Sequence, residues 1–535
     1  MFIRKFSSYG PVDKGQHYYA PRKELIENAY VQMTGENPEK SGHYITVWAP
    51  RQAGKTWVMQ HVLWRLQKDE RFDVLKINLE HLKMNKDADA VLRAITREIL
   101  KGLKKEIPDK DIIADSAEQL QSIFEKNFLT RPLVLILDEF DALDEDAISL
   151  IVGVFRNIYT IRQDQSDRIT GERDYLLHGV ALIGVRSVLG IENQSGSPFN
   201  VQRSVHIPNL TFDEAKGLFD WYEKESGQKI EHDVVERLFY ETRGQPGLTC
   251  WFGELLTETY NQEKDRPINM SDFDHAFMMA VQALPNANVI NIISKAKKEP
   301  HKDVVLELFK TERKMVFKYD NPSLNYIYMN GVTDIEMASG NLFVRFSCPF
   351  VQKRLFNYFS DELFSYTGKL CEPFENMDDI FVGQGLNIRN LMRRFQAYLK
   401  KNREWLLEDA PKRKDMRIFE AVYHFNLYRY LCDFLETRHA KVWPEFPTGN
   451  GAIDIIIKFA DRICAIEVKS YTDQVGYNEA LNQSARYGKQ LKLSEISLVF
   501  FVEYIDDANR EKYEKDYTDE ETGVRVMPVF VETGN

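Results

Sequence analysis

The sequence predicts an α/β protein with a parallel-sheet domain at its N-terminal end, a helical middle region and a mixed α/β domain at its C-terminal end. Three observations predict this architecture. The chain has 535 residues, whereas single hydrophobic cores usually stop growing at about 250–300 residues. Strands alternate with helices between 44 and 208, which is typical of a parallel sheet. Strands flank a helix again between 441 and 531.

Five strands are predicted in the first part, at 44–50, 73–79, 133–138, 178–185 and 204–208. The stretch that begins at Leu133 is continuously apolar until Asp138, as expected of a strand covered on both faces. Helical segments follow to about Leu284.

The middle region, from about 287 to 366, has a different pattern. Short helices at 302–309 and 324–330 precede a hairpin at 332–346 that turns at Ser339-Gly340-Asn341. Two helices followed by a hairpin predict a winged-helix module. The acidic, proline-containing stretch 372–379 predicts a linker. Beyond it we predict helices at 387–407, 416–436 and 477–491, and strands at 441–446, 453–459, 462–470, 496–502 and 524–531.

Charge and cysteine content limit the class of protein. The formal net charge is -11, so binding to nucleic acid requires a local basic face. The five cysteines are scattered and form no CxxC pair, which argues against a disulfide framework or a structural zinc site. No apolar run reaches the roughly 20 residues of a membrane helix. We therefore expect a cytoplasmic protein with no membrane partner.

A phosphate-binding loop is predicted at Ala49–Thr56, between a strand and a helix. It matches the Walker A pattern except that Ala49 replaces the first glycine. Backbone N–H groups of the loop, including that of Gly54, and the following helix N-terminus can hold phosphate oxygens. Lys55 is predicted to reach the outer phosphates, and the Thr56 hydroxyl to ligate Mg²⁺. The alternative is a coincidental turn.

A matching Walker B strand ends in Asp138-Glu139. Asp138 is predicted to bind the metal, directly or through water, and Glu139 to act on the attacking water as a general base. The alternative is a buried strand followed by solvated acids. Together the two motifs predict ATP and Mg²⁺ as cofactors.

Residues from about 15 to 285 resemble the AAA-like ATPases of bacteria and archaea that are related to the STAND class. The resemblance extends to 19–22, 180–186, 197–200, 208–211 and 244–246. It implies that Arg186 senses the γ-phosphate and that Pro246 lies against the adenine. Arg203 is a candidate arginine finger that reaches a neighbouring subunit of a homo-oligomer; a surface arginine is the alternative for Arg186 and for Arg203.

A second set of charged residues lies near the C-terminus, in the order Asp454, Glu467, Lys469. The strand period of two places Glu467 and Lys469 on one face. Such a pair is costly on a buried strand unless something compensates it, and Mg²⁺, or Mn²⁺ in its place, prefers carboxylate ligands. Asp454 and Glu467 are therefore predicted metal ligands, and Lys469 is predicted to meet the phosphate charge. A salt-bridged pair in an ordinary sheet is the alternative.

This set resembles the PD-(D/E)XK nuclease superfamily, although no proline precedes Asp454. The resemblance implies a restriction-endonuclease-like fold. It also implies a catalytic, site-lining role for Gln483, a site-lining role for Tyr487 and an auxiliary acidic role for Glu420. For these residues a structural role is the alternative.

Basic residues with interleaved aromatic residues form a candidate path for DNA toward that set. Basic residues stand at Arg389, Arg393, Arg394, Lys400, Lys401, Arg403, Lys412, Arg413 and Lys414, and the aromatic ones are Phe395, Tyr398 and Trp405. In the hairpin module, Lys310, Arg313, Lys314 and Lys318 are further candidates. The alternatives are a solvated helix face, and an oligomerisation or regulatory lid for the module.

These interpretations divide the chain into an AAA-like P-loop ATPase core (1–210), a helical lid (211–285), a winged-helix module (286–370), a linker (371–386) and a nuclease domain (387–535). We expect an ATP-regulated, metal-dependent DNA endonuclease, in defence against foreign DNA or in mobile-element biology. One alternative is an ATP-driven repair or recombination nuclease that acts on branched DNA. Another is a non-enzymatic, STAND-like regulator that binds DNA or protein through the winged helix.

Overall fold

The computed structural model describes residues 3–10, 12–104, 117–184, 203–309, 314–371, 375–383, 385–414, 416–436, 438, 440–445, 453–460, 462–470 and 473–534, with the backbone alone at 453, 454 and 470. The chain forms two compact units. The N-terminal unit comprises Met1–Ala283 and Met329–Gly331, and the C-terminal unit comprises Leu284–Tyr328 and Val332–Asn535.

The N-terminal unit is built around a five-stranded sheet in which every strand pair is parallel, which confirms the parallel sheet predicted for this domain. Its strands are β1 (Tyr44–Trp48), β2 (Asp73–Asn78), β3 (Leu133–Asp138), β4 (Leu177–Gly184) and β5 (Arg203–His206), in the order β2-β3-β4-β1-β5. The helices around it are α1 (Lys23–Thr34), α2 (Lys55–Leu66), α3 (Ala88–Gly102), α4 (Ala117–Ser122) and α5 (Glu145–Asp164).

Strand β3 is buried along its whole length because helices cover both faces of the sheet. Leu133, Leu135 and Leu137 belong to one apolar cluster, which includes side chains of α3 and α5. Val134 and Ile136 belong to another, with side chains of α1 and α2. Burial on both faces explains the unbroken apolar run in the sequence.

Four helices follow the sheet in the N-terminal unit: α6 (Phe212–Ser226), α7 (His232–Thr242), α8 (Pro246–Glu254) and α9 (Met270–Gln282). A π-helical turn, Leu255–Thr259, extends α8. Helix α6 begins with a capping box between Thr211 and Glu214, which satisfies backbone donors at its first turn.

The first part of the C-terminal unit contains four helices and a hairpin: α10 (Ala287–Ala296), α11 (His301–Leu308), α12 (Pro322–Met329), β6 (Thr333–Ala338), β7 (Asn341–Phe346) and α13 (Pro349–Leu363). The hairpin turns at Ser339 and Gly340, whose φ angles are 50° and 76°. The sequence predicts α11, α12 and the hairpin, whereas α10 and α13 were not predicted. That this group is a winged helix stays a prediction.

The second part contains a mixed six-stranded sheet, with order β10-β11-β12-β13-β15-β14. Its strands are β10 (Lys441–Glu445), β11 (Ile453–Phe459), β12 (Arg462–Ser470), β13 (Glu495–Val502), β14 (Tyr517–Thr518) and β15 (Arg525–Glu532). Around them lie the two-residue strands β8 (Phe381–Val382) and β9 (Gly385–Leu386), and the helices α14 (Ile388–Leu406), α15 (Glu420–Glu436), α16 (Gln474–Gln490) and α17 (Asp507–Tyr513).

Helices lie against both faces of this mixed sheet. Helix α16 packs on one face, where its Tyr477 and Leu481 join the cluster of Ile456, Leu498 and Phe500. On the other face, rings of α14 and α15 pack on Phe501 of β13. Antiparallel pairing joins β10, β11 and β12, and parallel pairing joins β12, β13 and β15.

The prediction that the helix before β10 begins at Met416 is wrong. In the structure α15 begins at Glu420. Met416 has a φ of 67°, which a right-handed helix does not accommodate, and Lys412 forms a β-bridge with Ile418.

In the described part of the chain, no single helix is long and apolar enough to cross a bilayer. The consecutive helices α9 and α10 reach that length and apolar character only when they are taken together.

A substitution at Gly244, two residues before α8, tests the backbone geometry that positions this helix. The φ of Gly244 is 67°, and a Cβ added there would lie 2.1 Å from the carbonyl oxygen of Leu210. We expect Gly244→Ala to lower the free energy of unfolding by about 1–3 kcal/mol, because alanine is strained at this φ and clashes with backbone. Urea denaturation followed by fluorescence measures the change. The matched control is Gly217→Ala within α6, where a Cβ meets nothing within 4 Å and alanine favours the helix; equal loss in both variants would contradict the prediction.

Candidate functional site

The predicted phosphate-binding loop connects β1 to α2, as the sequence suggests. Its positive φ angles fall on Gln52 (56°) and Gly54 (91°), whereas Ala49 is buried at the end of β1. The alanine in place of the first glycine therefore occupies a position that needs no left-handed backbone. Helix α2 starts at Lys55, so its free N–H groups lie directly after the loop.

Lys55 lies folded across the loop. Its Nζ donates hydrogen bonds to the carbonyl oxygens of Ala49 (2.8 Å) and Pro50 (3.0 Å). Burial lowers the pKa of Lys55, and the negative charges of Asp141, Glu139 and Asp138 oppose that effect. The ammonium group thus lies in a low-dielectric region that an anion such as a phosphate would stabilise.

The two Walker B acids follow one another at the carboxyl end of β3. Asp138 is 3% exposed, and its Oδ2 lies 2.8 Å from Nζ of Lys76 on the neighbouring strand β2. The Glu139 amide donates to Asp138 Oδ1 (3.2 Å). Burial, with Asp141 and Asp138 close by, raises the pKa of Glu139, which makes this carboxylate a stronger proton acceptor.

A cavity of about 310 Å³ opens beside the loop, within the size range of small-molecule sites. Its lining includes the loop, the start of α2 and Glu139, together with Tyr19, Trp57 and Pro246. The rings of Tyr19 and Trp57 lie 4.9 Å apart. Thus aromatic surface and phosphate-binding groups share one cavity, an arrangement that fits a nucleotide.

Residues 244–247 are bound to this loop. Gln245 Nε2 donates to the carbonyl oxygens of Arg51 (3.1 Å) and Gln52 (3.3 Å), and the Gly247 amide donates to the Gln52 carbonyl (3.1 Å). Pro246 lines the same cavity as Lys55 and Thr56. The predicted adenine-side and phosphate-side residues are therefore brought together.

Of the two candidate arginines, Arg203 does not line this cavity. Arg203 is exposed at the start of β5, where Nη1 donates to Gln32 Oε1 (3.1 Å). Arg186 lies outside the described residues.

Two contributors at the nucleotide site were not predicted. Lys76 neutralises Asp138, and Asp141 lies near Lys55 and Glu139. Arg22, the last residue of the segment 19–22 to which the resemblance extends, lies at the cavity and donates to the carbonyls of Pro208 and Asn209. The sequence signal for Asp141 was a third acid three positions after Asp138, in the short turn that follows β3. For Lys76 the signal was a lysine between Leu75 and Ile77 inside β2.

The second predicted set lies on β11 and β12. The antiparallel register pairs Asp454 with Glu467, and it pairs Glu445 of β10 with Asp454. Three acidic residues therefore occupy directly opposed positions on adjacent strands, which we call the acidic row: Glu445, Asp454 and Glu467. Directly opposed positions of an antiparallel pair share one face of the sheet, and for Glu467 this is the face covered by α16.

Glu467 is buried, at 2% exposure, and polar groups surround its carboxylate. Lys469 Nζ lies 2.9 Å from Oε1, and the Ser484 hydroxyl donates to Oε2. Lys469 also donates to Gln483 Oε1 (2.6 Å). The structure thus brings together Glu467, Lys469 and Gln483, as the sequence predicts, and adds Ser484, which was not predicted.

The two remaining candidates lie on opposite faces of the sheet. Tyr487 is buried in the apolar cluster between α16 and the sheet. Glu420 begins α15, with Oε1 3.6 Å from His424 Nε2, and the His424 ring packs on Phe501 on the other face. Complete burial lowers the pKa of His424 to about 3, so this histidine is neutral beside Glu420.

Three arginines of the predicted DNA path are held by acids of the same unit. Arg389 binds Asp516 (2.6 Å), Arg393 binds Glu514, and Arg394 binds Glu375 and Asp379 (2.9 Å to the latter). In the hairpin, Lys314 pairs with Glu336 (3.2 Å); Lys310 and Arg313 lie outside the described residues. The charges of Arg389, Arg393, Arg394 and Lys314 are therefore compensated within the fold.

Among the residues whose side chains are described, no group of three or more His, Cys, Asp and Glu is arranged to hold an ion. The side chain of Asp454 is outside that set. The donor types nevertheless fit a hard divalent cation, since Asp138 and Glu467 are buried carboxylates that already attract a cationic group.

Among solved structures, this chain is similar to three archaeal proteins. A Walker-type ATPase of Pyrococcus abyssi is 12% identical, with a TM-score of 0.43, over 65% of this chain and 99% of that one. Cdc6p of Pyrobaculum aerophilum is 15% identical, with a TM-score of 0.37, over 68% and 100%. The Aeropyrum pernix Orc1 protein, solved in complex with DNA, is 15% identical, with a TM-score of 0.34, over 63% and 92%.

Comparison with curated proteins finds no match. Among protein families, the model described as "AAA domain" matches residues 39–170. That range spans the phosphate-binding loop, strands β1 to β3 and both Walker B acids. The N-terminal unit therefore contains an AAA-type P-loop ATPase domain.

Proposed function

We propose that this chain is an ATP-regulated, metal-dependent DNA endonuclease. ATP would be hydrolysed in the N-terminal unit, and a DNA phosphodiester would be cut in the C-terminal unit. The observation that carries the nuclease half is the buried Glu467 carboxylate, bound by Lys469 and Ser484, at a register position opposite Asp454. The regulatory link rests on the resemblance to switch-like STAND ATPases.

At the nucleotide site each residue has a distinct task. Lys55 would exchange its bonds to the Ala49 and Pro50 carbonyls for bonds to phosphate oxygens. The α2 N-terminus would hold phosphate through its N–H groups, and Glu139 would accept a proton from the attacking water. Thr56 and Asp138 would hold Mg²⁺, which supplies positive charge to the phosphates when it is bound. Lys76 would then release Asp138.

At the nuclease site Lys469 is held between two acceptors, Glu467 Oε1 and Gln483 Oε1. This arrangement fixes its ammonium group where it can face a scissile phosphate and donate to its oxygens. Asp454 and Glu467 would hold Mg²⁺ or Mn²⁺, which supplies positive charge next to that phosphate when it is bound. Ser484 would keep the Glu467 carboxylate oriented, since its hydroxyl binds one of the two oxygens.

ATP binding is tested by Lys55→Ala. We expect the affinity for ATP to fall by at least about 100-fold, because charge-assisted hydrogen bonds to phosphate, each about 1.5–3 kcal/mol, are lost. Isothermal titration calorimetry measures the affinity. Lys68→Ala removes an exposed lysine just after α2 and is expected to bind ATP like the wild type. Wild-type affinity in Lys55→Ala would refute the proposed site.

Hydrolysis is tested by Glu139→Gln. This variant is expected to bind ATP normally while turnover falls by about 100- to 10,000-fold, because the general base is lost. The raised pKa of Glu139 also predicts that wild-type turnover declines as the pH falls through that raised pKa, since the base becomes protonated. Phosphate release measures both effects. Glu145→Gln, at an exposed position of α5, is the control; undiminished turnover in Glu139→Gln would remove this residue from the mechanism.

Cleavage is tested with Mg²⁺ or Mn²⁺ on supercoiled, linear and branched DNA, with and without ATP. Glu467→Gln and Lys469→Met are expected to lower metal-dependent cleavage by at least about 100-fold, since each removes charge from the reaction centre, and to keep wild-type ATP hydrolysis. Lys458→Met, an exposed lysine of β11, is the control. If both site variants cut like the wild type, the nuclease assignment is wrong; a preference for branched DNA would favour a repair or recombination role.

A further inference from the structure

A buried lysine of α13 binds the edge of the C-terminal sheet. Lys353 is 2% exposed, and its Nζ lies 3.1 Å from Oε1 of Glu445, the last residue of β10. A buried ammonium group is costly unless an anion compensates it. The pair therefore links a helix of the middle region, which precedes the nuclease-like sheet in sequence, to that sheet.

Glu445 is the outer member of the acidic row. The register pairs it with Asp454, which in turn pairs with Glu467. Neighbouring strands lie about 4.8 Å apart, so the backbones of Glu445 and Glu467 are separated by roughly 10 Å. At such a separation charges still interact, and the interaction grows where water is excluded. Lys353 therefore contributes positive potential to the proposed metal site.

The position of Lys353 is fixed by aromatic packing and a second ion pair. Phe356, one turn further along α13, has its ring 4.9 Å from that of Phe425 on α15 and 5.3 Å from that of Tyr428. Arg429 Nη1 of α15 lies 3.0 Å from Asp361 Oδ1 of α13. These contacts hold α13, and with it the backbone of Lys353, against α15.

We propose that Lys353 is a positioning residue that sets the charge of the acidic row, so that the seating of α13 regulates how tightly the C-terminal site binds a divalent cation. This inference rests on the proposed nuclease function, because it takes Asp454 and Glu467 as the metal ligands. An event that separates α13 from β10 would strengthen metal binding. By linkage, metal binding would weaken the contact between α13 and β10.

The two members of the pair make opposite contributions to the site. Removal of the lysine charge makes the surroundings of the acidic row more negative by one unit, which favours the cation. Removal of the glutamate charge makes them more positive by one unit, which disfavours it. A merely structural ion pair makes no such distinction, since loss of either partner would impair the same fold.

The experiment measures Mn²⁺ affinity of the full-length protein without nucleotide, by electron paramagnetic resonance of free Mn²⁺. Mn²⁺ binding that is present in the wild type and absent in Glu467→Gln is assigned to the C-terminal site. Lys353→Met is expected to tighten Mn²⁺ binding by about three- to tenfold, and Glu445→Gln to weaken it by a similar factor. The double variant and Lys353→Arg are expected near the wild type. Circular dichroism confirms that each variant is folded.

Lys302→Met is the matched control, because Lys302 pairs with Glu362 of the same helix α13 (3.5 Å); the Mn²⁺ affinity of this variant should be unchanged.

Shifts in Mn²⁺ affinity of the same sign in Lys353→Met and Glu445→Gln, or no shift in either, would overturn the inference while the nuclease assignment stands. If the wild type has no Mn²⁺ site that depends on Glu467, the nuclease assignment fails, and the inference fails with it. If a single variant unfolds, the double variant and Lys353→Arg still test the charge dependence: unequal affinities among folded variants of equal charge would overturn it.

Discussion

Buried carboxylates need a positive partner, and that need underlies both candidate sites. Asp138 and Glu467 are almost fully enclosed, each on a strand whose neighbouring residues are apolar. An isolated carboxylate there would cost several kcal/mol of folding free energy. In each case a lysine lies within hydrogen-bonding distance, Lys76 at 2.8 Å and Lys469 at 2.9 Å. The same negative potential that holds a lysine is suited to a divalent cation.

Sheet topology explains why these acids meet the groups that they serve. In the N-terminal unit, β1 and β3 are parallel and separated by β4, so the loop after β1 and the acids after β3 lie at one edge. In the C-terminal unit, antiparallel pairing of β11 and β12 sets Asp454 opposite Glu467. Each arrangement needs one long helix as well: α2 provides N–H groups, and α16 provides Gln483 and Ser484.

Sequence patterns were informative where structure is determined locally. The apolar run at β3, the glycine and lysine before α2, and the spacing of Glu467 and Lys469 each report a local constraint, and the elements were found where predicted. Contacts between residues far apart in the sequence could not be predicted from it. Lys353 and Glu445 are separated by 92 positions, and nothing in either segment indicates their pairing. Helix α17 and strand β14 were also missed, because their short polar sequences resemble loops.

We expect two independent classes of divalent-cation site, and the most direct test is to count them. Mn²⁺ binding to the full-length protein would be titrated with and without a non-hydrolysable ATP analogue. One site should require nucleotide and disappear in Asp138→Asn; the other should form without nucleotide and disappear in Glu467→Gln. A single class of site, or two sites indifferent to both substitutions, would contradict the account.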